Sequence, residues 1–93
     1  MTLLIKKPKY YNYDCVREKL ENAFPGMGTE VEKETRVGFK MDWVMIYHTF
    51  PNIKEPIPFI VYEPNGRRKI KYESLVGILN RVELKIADFA ECV

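Results

Sequence analysis

Between Phe50 and Leu79 the chain reads FPNIKEPIPFIVYEPNGRRKIKYESLVGIL. The order is a proline-led apolar run, a turn dipeptide, a cationic stretch and a helical pattern, which commits the second half of the molecule to strand, hairpin, strand and helix. Phe59, Ile60, Val61 and Tyr62 are unbroken apolar residues, the signature expected of a strand covered on both faces. Asn65-Gly66 supplies the two positive-φ residues of a type I′ turn, so Arg67 to Tyr72 is expected to fold back onto that run. Within this return stretch only Ile70 and Tyr72 are apolar. The surrounding cations suit an outer strand kept from pairing with other chains.

Ninety-three residues make one domain, 1–93, with enough buried surface for a single core. Fifteen Lys and Arg against thirteen Asp and Glu leave a net charge of +2. That is far from the basic excess of a protein devoted to phosphate neutralisation, so nucleic acid is not an expected partner. Apolar stretches are only strand-length, and Met1 to Ile5 is followed by Lys6-Lys7-Pro8, so neither a membrane span nor a signal-peptide core is expected. The expected location is the cytoplasm. Cys15 and Cys92 match no zinc spacing, and in a reducing compartment they are expected as free thiols, Cys92 as a bystander at a frayed end.

Leu3-Leu4-Ile5 reads as a first strand. From Cys15 the residues Val16, Leu20, Ala23 and Phe24 recur at helical spacing, with Asn12 or Asp14 as N-cap and Pro25-Gly26 as terminator. Thr29 to Arg36 suits a charged edge strand. Lys40 to Phe50 fits two periods, since Phe39, Trp43, Ile46 and Phe50 form a helical stripe while Val37, Phe39, Met41, Trp43, Met45 and Tyr47 alternate as in a strand. A helix is preferred there because a parallel crossover requires one. Ser74 can cap a last helix carrying Leu75, Ile78, Leu79, Val82, Ile86 and Phe89, with Gly77 as its weak point.

Ile57-Pro58, Asn65-Gly66 and Tyr72-Glu73-Ser74-Leu75 fall in the order in which glutaredoxins and small thioredoxins, notably the short bacteriophage forms, carry their hydrophobic-proline, glycine turn and helix start. The chain resembles that family over about residues 3 to 80. The resemblance implies an α/β thioredoxin-like fold, a four-stranded mixed sheet flanked by helices in the order β-α-β-α-β-β-α. It also implies a cis bond before Pro58 and a binding groove formed by Tyr10, Tyr11, Asn12, Tyr13, Ile57, Pro58 and Tyr72.

The family's Cys-x-x-Cys is incomplete here, for Cys15 takes the place of the second cysteine and Asn12 that of the first. Without the attacking thiolate, ordinary disulfide exchange has no starting point. The Gly-Gly pair that admits glutathione is replaced by Ile70-Lys71, so no cofactor is expected and glutathione is disfavoured. Cys15 remains the one candidate catalytic residue, either a thiol activated by the helix start or a small residue packed beneath it. The resulting expectation is a redox-inactive or weak single-cysteine thiol protein that binds a protein partner through the tyrosines before the first helix. The sole histidine, His48, reads as a surface or half-buried residue. Arg67, Arg68, Lys69 and Lys71 read as a solvated edge. A different class is kept open by Asp42, Glu63 and Lys69, which loosely resemble the carboxylates and lysine of metal-dependent nucleases, provided Lys40 to Thr49 is a strand.

Overall fold

In the computed structural model, residues 8–36, 42–63 and 66–93 are described, with the side chains of residues 30–36 and 42 left out. The expected strand at Leu3 to Ile5 lies outside these residues. The elements are β1 (Tyr10–Asn12), α1 (Tyr13–Ala23), β2 (Gly28–Arg36), β3 (Asp42–Thr49), β4 (Ile57–Tyr62), β5 (Lys69–Lys71), α2 (Tyr72–Arg81) and a 3₁₀ helix (Ile86–Cys92).

The five strands form one sheet in the order β1-β5-β4-β3-β2, and every neighbouring pair is antiparallel. This α+β arrangement overturns the four-stranded mixed sheet implied by the thioredoxin-like reading. The reversal traces to residues 42–49, which form a strand rather than the preferred crossover helix. An antiparallel neighbour needs no helical crossover, so the motive for placing a helix there disappears. The bond before Pro58 is trans, since the described chain has no cis peptide.

Sheet register sorts the side chains strictly by face. Val44 pairs with Val61, Ile46 with Phe59 and His48 with Ile57, while Ile70 stands between Val61 and Tyr11. All eight are buried, and they meet Val16 and Leu20 of α1, Leu75, Ile78 and Leu79 of α2, and Phe89 and Cys92 of the 3₁₀ helix in one core. The alternate residues of β3 and β4 are half-buried or exposed. The apolar run at residues 59–62 is therefore covered on one face only. Pro58 sits opposite Tyr47, level with a stretch of β4 beyond the two residues that β5 reaches, Val61 and Tyr62. A residue without an N–H fits there because that side of the strand has no ladder partner to satisfy.

The Lys69–Lys71 strand is not an outer one. β1 adds to its far side, with Tyr10, Tyr11 and Asn12 opposite Lys71, Ile70 and Lys69. Bonds from Tyr13 N–H to the Arg68 carbonyl (3.1 Å) and from Tyr72 N–H to the Lys9 carbonyl (3.2 Å) close this ladder at both ends. Residues 63–68 separate the paired Tyr62 and Lys69, so the connection is longer than the two-residue turn expected. Gly66 does have positive φ (78°), and Asn65 lies outside the described residues. β2 is a sheet edge, as expected for Thr29 to Arg36.

Asn12 caps α1 by accepting the Cys15 N–H at 2.8 Å. Tyr13, Val16 and Leu20 then share one buried face, and Pro25-Gly26 ends the helix, with Gly26 at φ 100°. α2 begins at Tyr72 after Lys71, so Ser74 lies inside it rather than capping it. The continuous helix expected as far as Phe89 breaks at Val82. Glu83 adopts φ 61°, its N–H reaches the Asn80 carbonyl (3.4 Å), and Leu84 N–H reaches the Leu79 carbonyl (2.9 Å). This is a Schellman ending with glutamate where glycine is usual. It redirects the chain so that Phe89 and Cys92 enter the core.

Cys92, far from fraying, is buried and disulfide-bonded to Cys15, Cα atoms 5.4 Å apart and 77 residues apart in sequence. Lys19 on α1 and Glu91 add an ion pair beside it. Reducing the bond, or Cys92→Ser, is expected to lower unfolding free energy by about 4 kcal/mol, mainly through the freed entropy of the unfolded chain. Urea unfolding with and without reductant checks this, and identical midpoints would show that the bond contributes nothing. Glu83→Gly is expected to raise stability by roughly 0.5–1 kcal/mol by relieving the left-handed conformation. The same unfolding measurement reads it, with a lower midpoint as the contrary result.

Candidate functional site

Two gatherings of side chains stand on opposite faces of the sheet among the described residues, one closed and one open to solvent. The closed one surrounds His48, fully buried on β3. Its Nδ1 lies 3.2 Å from the Gly28 carbonyl, which can only accept, so Nδ1 carries the proton. Nε2 is then the acceptor for the Tyr13 hydroxyl at 2.5 Å. Thr29 Oγ1 is 3.3 Å from Nδ1, and Phe59 meets the imidazole edge-to-face at 4.7 Å between centroids. The surface or half-buried placement expected for this histidine is corrected by the strand period, which turns residue 48 to the core with Val44 and Ile46. Burial is the main influence holding the His48 pKa below its ordinary value; the Gly28 bond and Glu21 oppose it, and Arg17 reinforces it. His48 is thus a neutral, closed link between α1 and the sheet.

The open place is the other sheet face. Along one row across the strands stand Trp43, Tyr62, Lys69 and Asn12, each opposite the next in register. The row beside it carries the pair Met45 and Ile60 and the pair Lys71 and Tyr10, and beyond lies the pair Tyr47 and Pro58. Trp43 and Tyr62 have ring centroids 5.8 Å apart and tilted by 31°, while Tyr62 and Tyr10 are 6.2 Å apart and edge-to-face. Lys71 Nζ lies 5.0 Å from the Tyr62 centroid and Lys69 Nζ 5.9 Å from that of Tyr10. The Tyr62 phenol beside Lys71 raises the lysine pKa, keeping its charge at neutral pH. No carboxylate side chain belongs to this face among the described residues. Glu63, next to Tyr62 in sequence, is held by Arg68 Nε at 2.7 Å, while the charge of Glu73 acts on Lys71.

The expected partner groove is divided by this architecture. Tyr11, Tyr13 and Ile57 are core residues, and Tyr11 stacks on Tyr72 at 6.3 Å. Tyr10, Asn12 and Pro58 do stand on the open face. Cys15 is not a free thiol, because its sulfur is bonded to that of Cys92. For the nuclease alternative, residues 42–49 are the strand it required. Glu63, however, is engaged by Arg68, and no three His, Cys, Asp or Glu converge as a metal site among the described residues. No described helix is long and apolar enough to cross a membrane. The residues of this face that the sequence did not bring together are Trp43, Met45, Tyr47, Tyr62, Lys69 and Lys71. For Trp43, Met45 and Tyr47 the signal was the two-residue alternation of β3.

No family model, curated protein or solved structure matches the chain.

Because the folded-state pKa of His48 is depressed, its contribution is present in full above the unfolded value near 6.5 and is lost as pH falls from there through the folded value. The unfolding midpoint of the wild-type protein is therefore expected to fall more steeply below pH 6.5 than that of His48→Gln. Parallel pH profiles would remove the histidine from the account.

Proposed function

We propose that this protein binds single-stranded nucleic acid on its open sheet face. The observation that carries the proposal is the tract Trp43, Tyr62 and Tyr10, three rings in succession across the sheet with Lys69 and Lys71 against two of them. Unpaired bases expose flat π faces that stack on such rings, and the lysine ammonium groups attract the phosphates between them. In a duplex those faces are stacked on one another, so a ring platform has no use for it.

This reading reverses the charge-based expectation that nucleic acid is not a partner. A net +2 over the whole chain says little about one face, and here Lys69 and Lys71 stand together while Glu63 is paired with Arg68. A protein partner, the alternative raised by the loop tyrosines, loses Tyr11, Tyr13 and Ile57 to the core. Protein interfaces are also depleted in lysine at their centres, where this face carries two.

Trp43 is the only tryptophan, so its fluorescence reports directly on stacking. Titration with single-stranded homopolymers at low salt is expected to quench it saturably, and the duplex of the same length to do so at least tenfold more weakly. Tyr62→Ala is expected to weaken binding by about 1–3 kcal/mol while leaving the unfolding midpoint within the range of a surface substitution. Absence of saturable quenching with both DNA and RNA strands would reject the proposal. Equal affinity for the duplex would do so as well.

A further inference from the structure

Beside Asn12 the platform runs into a cleft of about 250 Å³, several times the roughly 30 Å³ occupied by one water. It is lined by Tyr10, Tyr11 and Asn12 of β1, by Arg67, Arg68 and Lys69, and by Val93. We propose that this cleft is a phosphate site, and that it receives a backbone phosphate of the strand whose bases stack on Trp43, Tyr62 and Tyr10. The second half of the proposal rests on the function proposed above; the first does not.

Three observations converge on an anion of this kind. Arg68 is already committed to Glu63, so that carboxylate is neutralised before any ligand arrives. Arg67 and Lys69, the residues on either side of it, meet no carboxylate among the described residues. Arg67 is exposed and brings a planar fork of donors suited to two phosphate oxygens at once. Asn12 spends its Oδ1 on the Cys15 N–H, which leaves its amide NH₂ as a neutral donor at the exposed end of the row. A guanidinium, an ammonium and an amide donor thus border one concavity, and neither cation is in an ion pair among the described residues.

Position makes the site more than a basic patch. Lys69 belongs to both features, since it follows Tyr62 in the aromatic row and also lines the cleft. Its Nζ over the Tyr10 ring places a cation where a stacked base and its own phosphate would meet. Ring contacts then choose single strands, and the cleft determines where the backbone passes.

Two measurements on the whole oxidised chain test this. In the first, inorganic phosphate is titrated and backbone amide shifts are followed by NMR. Saturable shifts centred on Asn12, Arg67 and Lys69 that disappear in Arg67→Ala support the site, whether or not any oligonucleotide binds. No shifts, or shifts spread evenly over the cationic surface, overturn it even if the platform binds strands. In the second, oligonucleotide affinity is measured against salt. Arg67→Ala is expected to reduce the slope of log K on log salt by about 0.7, the loss of one single-strand phosphate contact, whereas Trp43→Ala weakens binding at constant slope. An unchanged slope in Arg67→Ala shows that the backbone passes elsewhere and overturns the link to the platform. Failure of all strands to bind, with localised phosphate shifts intact, would instead overturn the platform and keep the anion site.

Discussion

The two-residue alternation of β3 and β4 is the constraint on which the rest of the molecule depends. Val44, Ile46, His48, Ile57, Phe59 and Val61 all turn to one side and are buried, and both α-helices and the 3₁₀ helix pack there. Each strand residue directs its side chain opposite to that of its neighbour, so burying one set obliges Trp43, Met45, Tyr47, Ile60 and Tyr62 to stand on the other. A one-residue slip of either strand would exchange core and platform. The aromatic face is therefore the necessary complement of a one-sided core.

Closing that core takes contacts from both ends of the described chain. Asn12 starts α1, whose first turn carries Tyr13 to His48 and Cys15 to Cys92. The Schellman turn at Glu83 bends the chain after α2 and returns Phe89 against the same layer. One short strand, β1, links these events to the platform. Its Tyr11 is in the core, while Tyr10 and Asn12 on either side stand on the open face. The disulfide, the His48 hydrogen bonds and the cleft thus sit around a single segment, residues 10–15.

Several elements were legible beforehand because local chemistry decides them. α1 has a capping asparagine, a regular apolar stripe and a Pro-Gly stop. The edge strand β2 followed from its weak alternation and β-branched residues, and the 57–62 strand from its apolar run. Other elements depend on partners distant in sequence. β1 has three residues, too few for any period to register, and exists because Lys69–Lys71 offers an unpaired side. Residues 42–49 satisfied two periods, and a presumed parallel crossover tipped the choice toward helix. The site was lost with that choice, since a helix would have scattered Trp43, Met45 and Tyr47 around its axis. Family resemblance carried similar weight at Ile57-Pro58 and Tyr72, where a shared order of short motifs did not imply a shared topology.

Periodicity, capping and turn residues, read from the sequence alone, determined that this chain forms a single layer of strands with amphipathic helices and that the segment after Pro58 lies within the sheet. Strand order, the partner of each cysteine, the burial of His48 and the meeting of Lys69 with Tyr10 and Tyr62 were decided only by the tertiary structure. The physical reason is range. Helix caps and apolar alternation act over a few residues, whereas pairing and cross-linking bring together residues up to 77 positions apart, and their free energy depends on a geometry that does not exist until the whole core has assembled.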